Sequence, residues 1–136
     1  GTIYVHPMRQ RCGMDIVTEA EGRASSVLLR ALEPLLGHDM MALRRGTREA
    51  LSLASGPAKL CEALGITRAL SGRDLLDTAG PPHLLLPACP IPADRIAVGR
   101  RIGISRSADL ALRFSLAGSR FVSAPRPAST CAGHTP

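Results

Sequence analysis

The chain has 136 residues, 45% of them apolar, and a formal net charge of +6 carried by sixteen arginines and one lysine against eleven acids. That apolar content is globular and excludes a chain disordered by composition, while the basic balance favours a polyanion such as nucleic acid as partner. No apolar run reaches the length of a membrane span, so no membrane partner is expected. The four cysteines, Cys12, Cys61, Cys89 and Cys131, show neither a C-x-x-C pair nor Cys/His zinc spacing. They read as reduced thiols, and no metal is expected.

Residues 2–5 and 14–18 are short runs rich in β-formers, with a turn at Glu21-Gly22 after the second. Residues 26–33 predict a third strand. Val27, Leu29 and Ala31 would face one way and Leu28, Arg30 and Leu32 the other, with Pro34 as the stop. His38 to Arg45 predicts a helix that ends near Gly46, with Arg44 and Arg45 placed for its C-terminal dipole. A second helix follows, with Ser55 as cap, Pro57 in the first turn, an apolar face of Leu60, Ala63 and Leu64, and Gly65 as its end. Residues 79–93 read as a loop. Ile96 to Ser105 predicts a strand bent at Gly99, and Leu112–Leu116 with Arg120–Ser123 predict a hairpin across Ala117-Gly118-Ser119. Beyond Pro125 the chain is Pro, Ser, Thr and Ala without periodicity and reads as a disordered tail, 125–136. Strands outnumber helices and do not alternate with them regularly. The expected class is therefore α+β, a single compact domain over 1–124 with a curved, mostly antiparallel sheet and a few short helices.

Arg30 is the residue that most needs explanation. Its guanidinium cannot be discharged at ordinary pH and is almost never buried without an acid, a phosphate or a wet pocket. It stands within Val27-Leu28-Leu29-Arg30-Ala31-Leu32-Glu33-Pro34. Gly1-Thr2-Ile3-Tyr4-Val5 and Gly13-Met14-Asp15-Ile16-Val17 precede it. Ser55 to Ile66 (SGPAKLCEALGI), Arg101-Ile102-Gly103-Ile104 and Leu112-Arg113-Phe114 follow. In that order these blocks resemble the methylpurine (3-methyladenine) DNA glycosylase family of the alkyladenine type, from Gly1 to about Ser123.

The resemblance implies a fold like that of formyltransferase C-terminal domains. It implies excision of alkylated purines from double-stranded DNA, in base excision repair, by a monomer without metal or other cofactor. The cell compartment would be the bacterial cytoplasm and nucleoid, or a eukaryotic nucleus. The family pattern begins ahead of Gly1 and carries there, in a Glu-Ala-Tyr-like motif, the acid that activates water. The chain is thus expected to be the C-terminal two-thirds of the pattern, without that acid and inactive alone.

Carried over residue by residue, Arg30 positions that carboxylate and its water, and the carbonyl of Ile102 holds the water. Tyr4 belongs to the stretch whose aromatic rings stack on the flipped base. His6 stands where a stacking tyrosine is expected, and Arg9 or Gln10 where a wedge would enter the duplex. An imidazole is planar enough to stack, and a guanidinium can enter a stack or hold a phosphate. Asp15 replaces an asparagine that screens purines by their exocyclic groups; an ionised carboxylate accepts hydrogen bonds but donates none. Gly56 and Lys59 open a helix and suit a backbone phosphate, and Arg101 extends the basic face. A non-catalytic DNA-binding remnant of the family is the alternative, and a truncated product without function is the third reading.

Overall fold

The computed structural model describes residues 1–123 and Pro125, so the tail expectation for 126–136 lies outside the described residues. The chain divides into two compact units, Gly1–Leu86 and Pro87–Pro136. Pairing is antiparallel in both sheets, and three short α-helices accompany them, as the α+β class requires.

In the first unit, β1 (Ile3–Met8) and β2 (Arg11–Val17) form a hairpin, and β3 (Ser26–Leu28) pairs with β2 on its other side. The hairpin is longer than the two sequence runs predict, because it continues through residues 6–8 and 11–13 to a two-residue turn at Arg9-Gln10. Alternation decides the two faces of the sheet. Ile3, Val5 and Met14 are buried on one face, with Cys12 and Ile16 packed against them, and Tyr4, His6, Gly13 and Asp15 share the other. The outer edge of β1 is not left bare. Ser71 Oγ accepts from the Val5 N–H at 2.9 Å, and the Ile3 N–H donates to the Arg73 carbonyl at 2.8 Å, so edge groups that would template another strand are engaged.

Helix α1 (His38–Arg45) has the predicted bounds and ends at Gly46, whose φ of 63° is the left-handed cap that glycine adopts without strain. After the four-residue α2 (Ala50–Leu53), which the sequence reading did not anticipate, α3 (Pro57–Leu64) starts on proline and ends at Gly65. The predicted Ser55 cap is not used; the cap position is Gly56 and no side chain bonds there. Leu60, Cys61 and Ala63 of α3 bury against Ile3, Val5 and Met14, joined by Ala54, Ile66 and Leu75. Leu64, predicted for the apolar face, is 37% exposed.

The third strand corrects the sequence reading. It stops at Leu28, not at residue 33. One further bond, Leu29 N–H to Met14 carbonyl, follows the sheet, and then the Leu32 N–H turns to the Ala54 carbonyl at 3.3 Å. Tertiary bonding to the segment between α2 and α3 takes the chain out of the ladder. Arg30 therefore lies just beyond the strand and not within it.

In the second unit, β4 (Ile96–Gly99) pairs with β5 (Arg113–Leu116). Two further corrections arise here. The strand from Ile96 ends at Gly99 instead of Ser105, since the chain loops through Gly103 at φ 74° and returns with the Arg101 N–H on the Leu110 carbonyl. Arg120–Ser123 is no strand. Arg113 is only 7% exposed and draws in the carbonyls of Ser123 and Pro125, at 2.7 and 2.6 Å, so those groups face a guanidinium and not a ladder.

Burial also sets the thiol chemistry. Cys12, Cys61 and Cys89 are free, and Cys131 lies outside the described residues. Burial, reinforced by the neighbouring Cys12, pushes the Cys61 thiol from the ordinary 9.0 up to about 11. The folded state thus holds this proton more tightly than the unfolded one. Its contribution to stability is intact below pH 9 and is lost as pH climbs towards 11. At mildly alkaline pH, a disulfide reagent should modify exposed Cys89 promptly and Cys61 only after denaturant is added, as mass spectrometry would show. Equal rates would place Cys61 outside the core.

Candidate nucleic-acid interface

The polar face of the three-stranded sheet carries the densest group of predicted site residues. Register places Tyr4 opposite Asp15, Asp15 opposite Leu28 and His6 opposite Gly13. The rings of Tyr4 and His6 stack, with centroids 5.6 Å apart and 28° between planes. Tyr4 is about half exposed (52%), so one aromatic surface remains open to solvent. His6 Nε2 lies 3.1 Å from Asp15 Oδ1, and Ser26 Oγ donates to Asp15 Oδ2 at 2.7 Å. Both carboxylate oxygens of Asp15 therefore face groups on neighbouring strands, and the imidazole is fixed in orientation.

Two partners in this arrangement escaped the sequence reading. Ser26 gave no signal, because its role depends on strand register. Gly13 is the second. A Cβ there would meet Met8 Sδ at 2.6 Å, His6 Cε1 at 2.8 Å and His6 Nε2 at 2.9 Å. The imidazole lies against the glycine backbone, a close approach only glycine allows without a shift.

Arg9 sits exposed at the hairpin tip with φ 56°, in the left-handed region seldom used by non-glycine residues. Arg30 is half-buried and engaged by neighbouring groups, although its Nε atom is buried and makes no hydrogen bond. Gly56 and Lys59 stand at the start of α3, both half-buried. Arg101 and Ile102 belong to the loop after β4 in the second unit, also half-buried. Among the described residues, no group of three His, Cys, Asp or Glu gathers as a metal site, and no helix is long and apolar enough to cross a membrane.

A family model described as methylpurine-DNA glycosylase (MPG) matches residues 1–120. The chain belongs to the methylpurine-DNA glycosylase family. A relative from Methanoculleus marisnigri is 51% identical over 112 residues, covering 81% of this chain and 57% of its own length. One from Agrobacterium fabrum is 54% identical over 99 residues, covering 73% and 49%, and one from Nitrosospira multiformis is 46% identical over 113, covering 82% and 55%. Each carries the words 3-methyladenine DNA glycosylase in its name. This methylpurine-DNA glycosylase family member spans about half the length of the curated relatives it matches.

Proposed function

We propose that this chain is part of a DNA glycosylase that removes alkylated purines, of the 3-methyladenine, 7-methylguanine, hypoxanthine or ethenoadenine type, from double-stranded DNA. The observation that carries the reading is family membership across residues 1–120. The open aromatic pair on the polar face of the sheet supports it, since a flipped base is held by stacking and by hydrogen bonds to its edge. The reaction is hydrolysis of the N-glycosidic bond by a water that a carboxylate deprotonates. The family pattern places that acid ahead of the position matched by Gly1.

Within this chain, Arg30 orients the carboxylate and the water, and the Ile102 carbonyl holds the water. Tyr4 and His6 form the stacking surface, and Asp15 fixes His6 while presenting only acceptors to a purine edge. Arg9, at the hairpin tip, is the group that enters the space left by the base. Gly56, Lys59 and Arg101 hold backbone phosphates. The enzyme acts as a monomer wherever the cell keeps its DNA, with no cofactor.

The test is base release from a duplex containing one hypoxanthine or ethenoadenine. Release is expected from this chain joined to the upstream segment of the family pattern, and none from the 136 residues alone. Release by the 136 residues alone would overturn the assignment of water activation to the upstream acid. Release by neither protein would overturn the enzyme reading in favour of a non-catalytic DNA-binding protein.

A further inference from the structure

Charge is distributed unevenly between the two units. Gly1–Leu86 holds ten Lys and Arg against nine Asp and Glu, and residues 87–136 hold seven arginines against two aspartates. The second unit thus carries nearly all the positive excess of the chain. Not every arginine there is available to a ligand. Arg113 is spent inside the fold on the Ser123 and Pro125 carbonyls. Arg101 and Arg106 differ: among the described residues, no side-chain hydrogen bond or ion pair takes up either guanidinium.

These two arginines line one cavity of about 430 Å³, together with Gly103, Ile104, Ser105 and Ser107. The loop is folded back by Gly103 at φ 74° and Ser107 at φ 52°, which brings Arg101 and residues 103–107 to line one open hollow at the surface. No carboxylate is among the lining residues. The lining side chains therefore offer two guanidinium forks, five N–H donors each, and two hydroxyls that can donate. Two like charges at one cavity repel each other unless an anion joins them, and the planar fork matches the oxygens of a phosphate.

We propose that this loop seats a phosphate group of a nucleic-acid backbone, with Arg101 and Arg106 paired to its oxygens and the Ser105 and Ser107 hydroxyls donating to it. The chemistry of the seat stands on the cavity; that the phosphate belongs to duplex DNA rests on the glycosylase reading above.

The experiment is duplex binding across a salt series, by fluorescence anisotropy, on intact and ethenoadenine-containing DNA. For the unaltered chain, log affinity should fall linearly with log salt. Arg101→Ala and Arg106→Ala should each make that slope shallower by about one, on both duplexes alike. Arg106→Lys should restore it, since the charge returns. Ser105→Ala with Ser107→Ala should weaken binding roughly fivefold and leave the slope, as loss of a neutral hydrogen bond does. Arg23→Ala, in the first unit, should not change the slope. Unchanged slopes in both arginine variants, an equal change in Arg23→Ala, or no duplex binding by the unaltered chain would overturn the proposal. Inorganic phosphate and pyrophosphate form a second arm. If they bind saturably and lose binding in Arg106→Ala while duplex slopes stay fixed, the nucleic-acid source is overturned. If the slopes change as expected while this chain joined to the upstream segment releases no base, the seat stands and the glycosylase reading falls.

Discussion

Leu60→Ala should destabilise the first unit by about 2–5 kcal/mol. Leu60 is fully buried, at 0% exposure, in the cluster of Ile3, Val5, Met14, Ala54, Cys61, Ala63, Ile66 and Leu75. Truncation loses both the transfer free energy of the removed carbons and the contacts across the cavity they leave, because close-packed neighbours relax only in part. Domains of this size are stable by only about 5–15 kcal/mol, so the variant loses a large share of its folded margin. The midpoint of urea unfolding should move to lower denaturant at unchanged slope. Leu60→Met, which conserves volume, should cost less than about 1.5 kcal/mol. Leu64→Ala supplies the internal contrast. Leu64 sits on the same helix at 37% exposure and should cost less than Leu60→Ala. If the two alanine variants lose equal stability, the core is not organised around this face of α3. A stable Leu60 position matters for the candidate interface because the same sheet that packs on α3 presents Tyr4, His6 and Asp15 on its other side.

How much of this arrangement is readable in the sequence depends on how local its causes are. The bounds of α1 and α3 are readable because Gly46, Pro57 and Gly65 act within a turn of where they stand. The β1–β2 hairpin is half readable. Ile3 and Val5 announce alternation, but nothing local shows that His6 to Cys12 continues the ladder to a turn at Arg9-Gln10. The strand through Arg30 is expected from alternation up to Pro34, and the hairpin at Arg120–Ser123 from the turn residues Ala117-Gly118-Ser119. Distant groups decided both: the Ala54 carbonyl draws Leu32 away from the sheet, and the buried guanidinium of Arg113 claims carbonyls that a hairpin would need. The same division holds at the candidate site. Tyr4, His6 and Asp15 were named from the family resemblance, and register brings them to one face. Ser26 and Gly13, which fix Asp15 and the imidazole, follow from register and close approach, and neither is visible one residue at a time.

The second large effect is expected at Glu62, which no motif singled out. Its Oε2 accepts from Arg45 at 2.6 Å and from Arg11 at 3.0 Å. The Arg45 side chain is only 8% exposed, and its Nε donates to the Leu53 carbonyl at 3.1 Å. One carboxylate thus neutralises a buried guanidinium from α1 and a surface guanidinium from β2. The two partners should not be worth the same. Removing the counter-charge of a buried ion costs about 3–5 kcal/mol, because the charge left behind keeps its desolvation penalty. An exposed pair contributes about 0–1 kcal/mol, and Arg11 is 53% exposed. Glu62→Gln should therefore cost about 3 kcal/mol in urea unfolding, at the lower end because Glu62 itself keeps 34% exposure. Arg11→Ala should cost less than about 1 kcal/mol. Replacing both members of the buried pair, Arg45→Met with Glu62→Leu, should recover much of the loss, since apolar side chains of similar volume leave no charge to solvate. The cycle decides between two accounts of the same contacts. If Arg11→Ala is as damaging as Glu62→Gln, the surface pair, and not the buried one, ties β2 to α3. If the double variant is no better than Glu62→Gln, the penalty lies in packing around α3 and not in a stranded charge.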